Sequence, residues 1–238
     1  MGLRDLHSFN IEYASAFGVL KILSNLLKRK KLVTPFSYIA HFGCKEGTWL
    51  AAAKDLGASR VVGIDSPNSF DMPSCLDKEE FHGLDLSKVK VVLPHKADLA
   101  ICVEFAHELS QNRGNELVSE MCSSAKLVLF SSGTPFQGNN PEFNFQWHSY
   151  WAKKFFNEGF LPDFKLRNYL WSCKSINPVY RQNCILFFKP KKMPKKQPDF
   201  YKLDVVHPSI YESSQARQEA LAKQLTNSTL RKIIKKKN

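Results

Sequence analysis

Residues 36–67 read FSYIAHFGCKEGTWLAAAKDLGASRVVGIDSP, and this stretch decides the fold. Tyr38-Ile39-Ala40-His41-Phe42 is an apolar run that predicts a buried strand. Gly43-Cys44-Lys45-Glu46-Gly47 is a glycine-punctuated turn. Thr48 to Leu56 has helical spacing, with Trp49, Leu50, Ala52, Ala53 and Leu56 on a shared face, and Gly57 stops it. Arg60 to Asp65 is a second, β-branched run that ends in a carboxylate. Strand, glycine turn, helix, strand, acid is half of a nucleotide-binding α/β domain. Glycine allows a sharp bend and a close ligand approach. The following helix start offers unpaired N–H groups. Asp65 stands where a carboxylate accepts hydrogen bonds from both hydroxyls of a ribose. The third glycine of a dinucleotide site and the lysine-serine/threonine phosphate loop are both missing. A nucleoside without a pyrophosphate fits better.

The segment resembles the first motif of class I S-adenosylmethionine-dependent methyltransferases, Asp-x-Gly-x-Gly-x-Gly. Further stretches carry the likeness: LAAAKDLGASRVVGID, DLAICVEFAHEL, NFQWHSYWAKKFFNEGF and VYRQNCILFF look like a bacterial and viral subgroup linked to sugar or small-molecule O-methylation. The likeness spans roughly residues 36–189. It implies a Rossmann-like α/β sheet, mostly parallel with an antiparallel last strand and helices on both faces. It also implies S-adenosylmethionine as methyl donor. By resemblance, Gly43, Cys44 and Gly47 cradle the donor, Asp65 and Ser66 meet the ribose, and Asp85 and Leu86 meet the adenine. Glu104 faces the methyl end. This chain departs from the pattern at His41, where an acid is usual, and at Lys45, where glycine is usual. Its Glu104-Phe105-Ala106-His107-Glu108-Leu109 exchanges the acid and histidine of Glu-x-Ala-Glu-His-Leu.

At 238 residues the chain accommodates one α/β domain and extensions. Three segments are expected: an N-terminal amphipathic helix over 1–31, the sheet domain over 32–190, and a basic linker with a helical tail over 191–238. No apolar run is long enough for a membrane span, and MGLRDLHSFNIEY lacks a signal-type apolar core. The six cysteines have no metal-type spacing, and Cys102 and Cys184 look like small core residues, so an intracellular, cytoplasmic protein is expected. Of the +12 formal charge, +9 lies from residue 189 onward, leaving the core close to neutral. That argues against the whole domain binding nucleic acid.

Along the chain, Ser8 is a plausible cap for a helix over 8–31, which either packs on the sheet edge or serves as a lid or substrate-contact helix. Residues 67–80 read as loop. Phe81 to Leu86 reads as the third strand, and Asp85 either meets adenine or caps the next turn. Ala97 to Val103 is the fourth strand, which places Glu104, Phe105, His107 and Glu108 at the switch in strand order. A helix over 112–122 and a strand over 126–131 follow. The loop from Ser132 to Asn144 is a functional candidate by its length. Trp147 to Glu158 reads as a helix with aromatic core residues. Phe160 to Trp171 and Asn183 to Phe188 read as the closing strands. Val179 to Asn183 reads equally as a rim contact or a surface turn. The lysine-rich stretch after Pro190 reads as an extended linker, and Glu212 to Lys237 as a helix.

The sulfonium donor is already activated, so positioning and one general base suffice for a hydroxyl acceptor. His107 and Glu108 are the candidate bases, and Asn144, with Glu142 and Gln146, would orient the acceptor. A His/Glu set could also hold a divalent ion, although no ligand spacing argues for it strongly. Two other functions stay open. One is a degenerate fold serving as a binding module, suggested by His41, Lys45 and the His107/Glu108 exchange. The other is methylation of RNA or DNA, with the basic tail as a docking arm or a contact to an anionic surface.

Overall fold

The computed structural model describes residues 3–29, 36–67, 75–135, 137–138, 140 and 142–237; of residues 3–8 and 225–237 only the helical backbone is described. The chain divides into two units, Met1–Val205 and Val206–Asn238. In the first, helix α1 (Leu3–Arg29) precedes strand β1 (Tyr38–Phe42), helix α2 (Thr48–Asp55) and strand β2 (Arg60–Asp65). Strands β3 (Phe81–Gly83), β4 (Ala97–Val103) and β5 (Ala125–Ser131) follow, with helix α3 (Gln111–Ser124) before β5. Then come α4 (His148–Asn157), β6 (Leu161–Asp163), α5 (Phe164–Trp171), α6 (Pro178–Asn183) and β7 (Ile185–Phe188). The second unit carries α7 (Pro208–Lys237).

The strands form one sheet in the order β3-β2-β1-β4-β5-β7-β6. β1 to β5 pair in parallel, and β7 runs antiparallel between β5 and β6. Strand side chains alternate between faces, and the core divides accordingly. Ala40, Phe42, Val62, Ile64, Ala100, Cys102, Val128 and Phe130 pack toward α3 and α4, on Leu117, Met121, Trp151 and Phe155. Ile39, Val61, Leu99, Ile101 and Leu129 pack toward α1, α2 and α5, on Leu20, Leu23, Leu50, Leu166 and Leu170. This is the expected sheet with helices on both faces, and α1 takes the packed position rather than the lid. Among the described residues, no helix is long and apolar enough to cross a membrane.

Four expectations change. Ser8 lies inside α1, not at its start. β3 ends at Gly83, and Asp85 caps the next turn instead: its Oδ1 accepts from Ser87 N–H (3.0 Å) and Ser87 Oγ, while Lys88 lies 2.9 Å from Oδ2. These partners hold its carboxyl at about 2. The third change is at 164–171, which is helical rather than part of a strand: Asp163 accepts from Lys165 N–H (2.7 Å), and Leu166 and Leu170, one turn apart, are buried. The fourth is at the linker, where residues 200–204 return to the core. Phe200 packs on Phe156, Leu203 accepts from buried Arg167 (2.6 Å), and Asp204 accepts from the amide and hydroxyl of Ser149. Lys30, Lys31, residues 68–74 of the expected loop, and Phe136, Asn139 and Pro141 lie outside the described residues.

A candidate site at the carboxyl ends of β1, β2 and β4

The turn after β1 bends as its glycines predict: Gly43 has φ 76° and Gly47 φ 81°. A Cβ at Gly43 would collide with the ring of Phe105, and one at Gly47 would lie 2.7 Å from Leu76. The close approach to Gly43 is therefore made by the chain's own Phe105. Asp65, at the end of β2, ties the turn down. Its Oδ2 accepts from Lys45 N–H and its Oδ1 from Ser66 N–H, both at 2.7 Å. Each oxygen keeps a further lone pair. Cys44 is buried against Gly63, its amide directed at Ile64 O (3.3 Å), and burial pushes its thiol up.

Among the described residues, Lys45 (φ 48°) and Glu104 (φ 49°) are the non-glycine residues in the left-handed region. They stand at the ends of β1 and β4, neighbours in the sheet. Such conformations cost energy and concentrate at functional sites. Glu104 is wired in place. Its Oε1 accepts from Ser131 Oγ and from Asn183 Nδ2 (3.0 Å), and its amide donates to Ser131 O (2.9 Å). The other Nδ2 hydrogen of Asn183 goes to Gln137 Oε1 (3.1 Å), and its Oδ1 accepts from Gln182 (2.9 Å) and His148 (3.1 Å). Gln137 Oε1 in turn accepts from Thr134 N–H and Oγ1. This buried network joins β4, the loop after β5, α4 and α6. Burial raises the Glu104 pKa, since no cation partners it directly.

His107 lies in a 3₁₀ turn over Ala106–Glu108. Its ring stacks on Phe145 (centroids 4.9 Å apart, 20° between planes). Its Nδ1 accepts from Gly133 N–H (2.9 Å), which puts the ring proton on Nε2. Burial lowers its pKa to about 4, so the ring is neutral at pH 7. With Nδ1 engaged, His107 offers a donor rather than the expected base. Glu108 is exposed, with its pKa raised by desolvation and drawn back by Lys45.

Asn144 is engaged in the neighbouring turn. Its Oδ1 accepts from Gln146 (3.0 Å), its amide donates to His107 O (2.7 Å), and its Nδ2 lies beside Gly114 of α3. It holds the turn that carries His107. Leu86 is core, and its carbonyl accepts from Arg113 Nε (2.6 Å). Together with the turn made by Asp85, this leaves the expected adenine pair engaged in structure.

Sequence reasoning missed Glu12, Gln137 and the depth of Gln182 and Asn183. The polar run before β7 was a usable signal, because Tyr180-Arg181-Gln182-Asn183 directly precedes a buried strand. Nothing local marks Glu12.

No protein-family model and no curated protein matches this chain. Solved structures do. An S-adenosylmethionine-bound amino pentose methyltransferase from Micromonospora echinaspora, involved in calicheamicin biosynthesis, superposes with TM-score 0.59 at 8% identity, over 80% of this chain and 98% of that one. Magnesium protoporphyrin IX methyltransferase from Synechocystis, with bound S-adenosylhomocysteine, gives 0.46 at 16% identity over 62% and 74%. Human N-acetylserotonin methyltransferase, in complex with S-adenosylmethionine, gives 0.46 at 18% identity over 66% and 48%. The strand order and the first of these superpositions define the fold: it is the class I methyltransferase fold.

Proposed function

We propose that the chain is a methyltransferase that takes its methyl group from S-adenosylmethionine and places it on a hydroxyl of a sugar or other small molecule. The observation that carries this reading is the pair of strained residues at the switch in strand order, with Glu104 half-buried, desolvated and lacking a directly paired cation beside them. Ligands of open α/β sheets bind at that switch. A desolvated carboxylate whose pKa is raised for want of a partner suits a cationic ligand. The ring of Phe105 adds an aromatic face of the kind that attracts cations. The residues present therefore fit the donor.

S-adenosylmethionine supplies an activated methyl group on a sulfonium. In the proposed site Asp65 uses its remaining lone pairs for the ribose hydroxyls, and Glu104 offsets the positive charge. His107 donates from Nε2 to the acceptor oxygen and orients it. Glu108, exposed and with a raised pKa, takes the hydroxyl proton on its carboxylate. The aromatic wall of His107, Phe143 and Phe145 lines the acceptor side. The fold shared with an amino pentose methyltransferase supports a sugar as acceptor.

One observation favours a second reading, a binding module on the same fold: Phe105 covers Gly43, where a donor would approach. A screen of labelled donor against sugars, glycans and RNA separates the two. Transfer to a sugar hydroxyl that Glu108→Gln lowers about 10²- to 10⁴-fold is the expected result. No transfer, with no heat of binding for S-adenosylhomocysteine, rejects the enzyme. The exposed Lys191, Lys192, Lys195 and Lys196 motivate the RNA arm of the screen.

A further inference from the structure

On the donor reading above, the ligand ends in an amino acid, which carries an ammonium and a carboxylate on one carbon. Beside the glycine turn lie charged groups that the proposed mechanism leaves unused: Glu12, whose carboxyl feels both Lys45 and Glu46, and the Lys45 ammonium.

Glu12 is held by its neighbours. Tyr13 OH donates to Asp55 at the end of α2, and Ser15 Oγ accepts from Asn177 N–H (3.0 Å) just before α6. α1 is thus pinned just after residue 12, to α2 by Tyr13 and to the turn before α6 by Ser15. His41 and Trp49 stand together on this same face of the sheet, ring centroids 6.4 Å apart, and Tyr180 of α6 meets Trp49 at 5.2 Å. Tyr180 and Trp49 both act on the Glu12 carboxyl, while desolvation dominates and raises its pKa. His41 is 2% exposed, and neither of its ring nitrogens has a partner; Trp49 Nε1 completes no hydrogen bond either. Buried polar atoms without partners are rare in native proteins. Here they converge on one spot beside the end of β1.

Lys45 is the opposite charge at that spot. Its backbone, in the left-handed region, is held by the hydrogen bond its N–H donates to Asp65 Oδ2. Its side chain is exposed and forms no ion pair among the described residues. Glu12, His41, Glu104, His107 and Glu108 all lie within its electrostatic reach.

We propose that Glu12 and Lys45 read the amino-acid end of the ligand, Glu12 receiving its ammonium and Lys45 its carboxylate. The pair accounts for both departures in the glycine turn at once. The acid absent at position 41 is supplied from α1, and the lysine that replaces a glycine supplies the matching cation.

The test is calorimetry on the full chain with two ligands that share a nucleoside. S-adenosylhomocysteine carries the amino-acid end and 5′-methylthioadenosine lacks it. Glu12→Gln and Lys45→Met should each weaken S-adenosylhomocysteine about ten- to hundredfold while leaving methylthioadenosine within about twofold. Unchanged methylthioadenosine binding also shows that the variants fold. Decarboxylated S-adenosylmethionine should respond to Glu12→Gln and ignore Lys45→Met. Equal losses for both nucleosides, or no loss for S-adenosylhomocysteine, overturn the pair and leave the donor reading standing. A wild-type chain that binds neither nucleoside overturns the donor reading itself.

Discussion

Gly43 and Phe105 are coupled sterically, and the coupling is measurable. Gly43→Ala adds a Cβ at φ 76° that meets the Phe105 ring. The backbone part of this cost is about 1–2 kcal/mol, and the clash adds about as much again. In urea denaturation Phe105→Ala should recover the steric share in the double variant but not the backbone share. Strict additivity of the two changes would mean the contact is not formed. Asp65→Ala removes the acceptors of two turn amides, so a loss of about 1–3 kcal/mol is expected. The same variant should also lose S-adenosylhomocysteine binding in calorimetry. His107 gives a pH signature. Its folded pKa of about 4 lies below the ordinary 6.5, so between these values the unfolded chain holds the extra proton. Stability linked to His107 is then complete above pH 6.5 and falls as pH drops toward 4, by on the order of 3 kcal/mol. His41 and His148, each lowered to about 3, act in the same direction, while the raised carboxyl of Glu104 acts oppositely. Melting curves of His107→Gln against the parent chain isolate the one group: the parent should lose more on acidification. At this scale Asp65 and Glu104 were readable, because each closes a strand run. Glu12 was not, since a glutamate on an amphipathic helix looks like any solvated residue until the helix is docked.

At the scale of elements, α3 does more than cover the sheet. Arg113 and Glu120 form a buried pair (2.7 Å) that also binds Leu86 O, Val89 O and Val91 N–H. The long connection from β3 to β4 has little regular structure, and this pair satisfies its backbone. Replacing either partner alone leaves a buried charge, so Arg113→Met or Glu120→Gln should cost about 3–5 kcal/mol. Replacing both by apolar residues should cost less than the sum. Chevron or equilibrium urea data on the three variants decide it. The pattern of elements was largely legible through β5, where strands run apolar and Gly57 stops α2. It failed at 160–183. There Leu161-Pro162-Asp163 pairs as a strand for only three residues before Asp163 starts a helix. Leu166, Tyr169 and Leu170 suit either period over so short a run. α6 was hidden because its buried side chains are polar, and only their partners at Glu104 and Gln137 explain their burial.

For the whole molecule, the division between body and tail is set by packing rather than by composition. The lysine-rich stretch suggests a boundary near Pro190, yet Phe200, Leu203 and Asp204 complete the first unit. A chain ending at Val205 should melt with the full-length protein. One ending at Pro190 removes two buried apolar side chains, worth about 1.5–3 kcal/mol each, and the partners of Arg167 and Ser149. Differential scanning calorimetry of both truncations tests this, and equal melting temperatures would refute it. Charge alone could not reveal the boundary, because the residues that return are three among many that do not.

The antiparallel end of the sheet has a consequence for how the chain is made. β7 inserts between β5 and β6, although β6 precedes it in sequence. While the chain is being synthesised, β1 to β5 emerge first and pair side by side. The outer edge of β5, with Leu127, Leu129 and Phe130, stays open until Phe188 has emerged. An open apolar edge is a template for pairing with other chains. Nascent chains stalled before residue 188 should therefore recruit chaperones or coalesce, and release past it should end both.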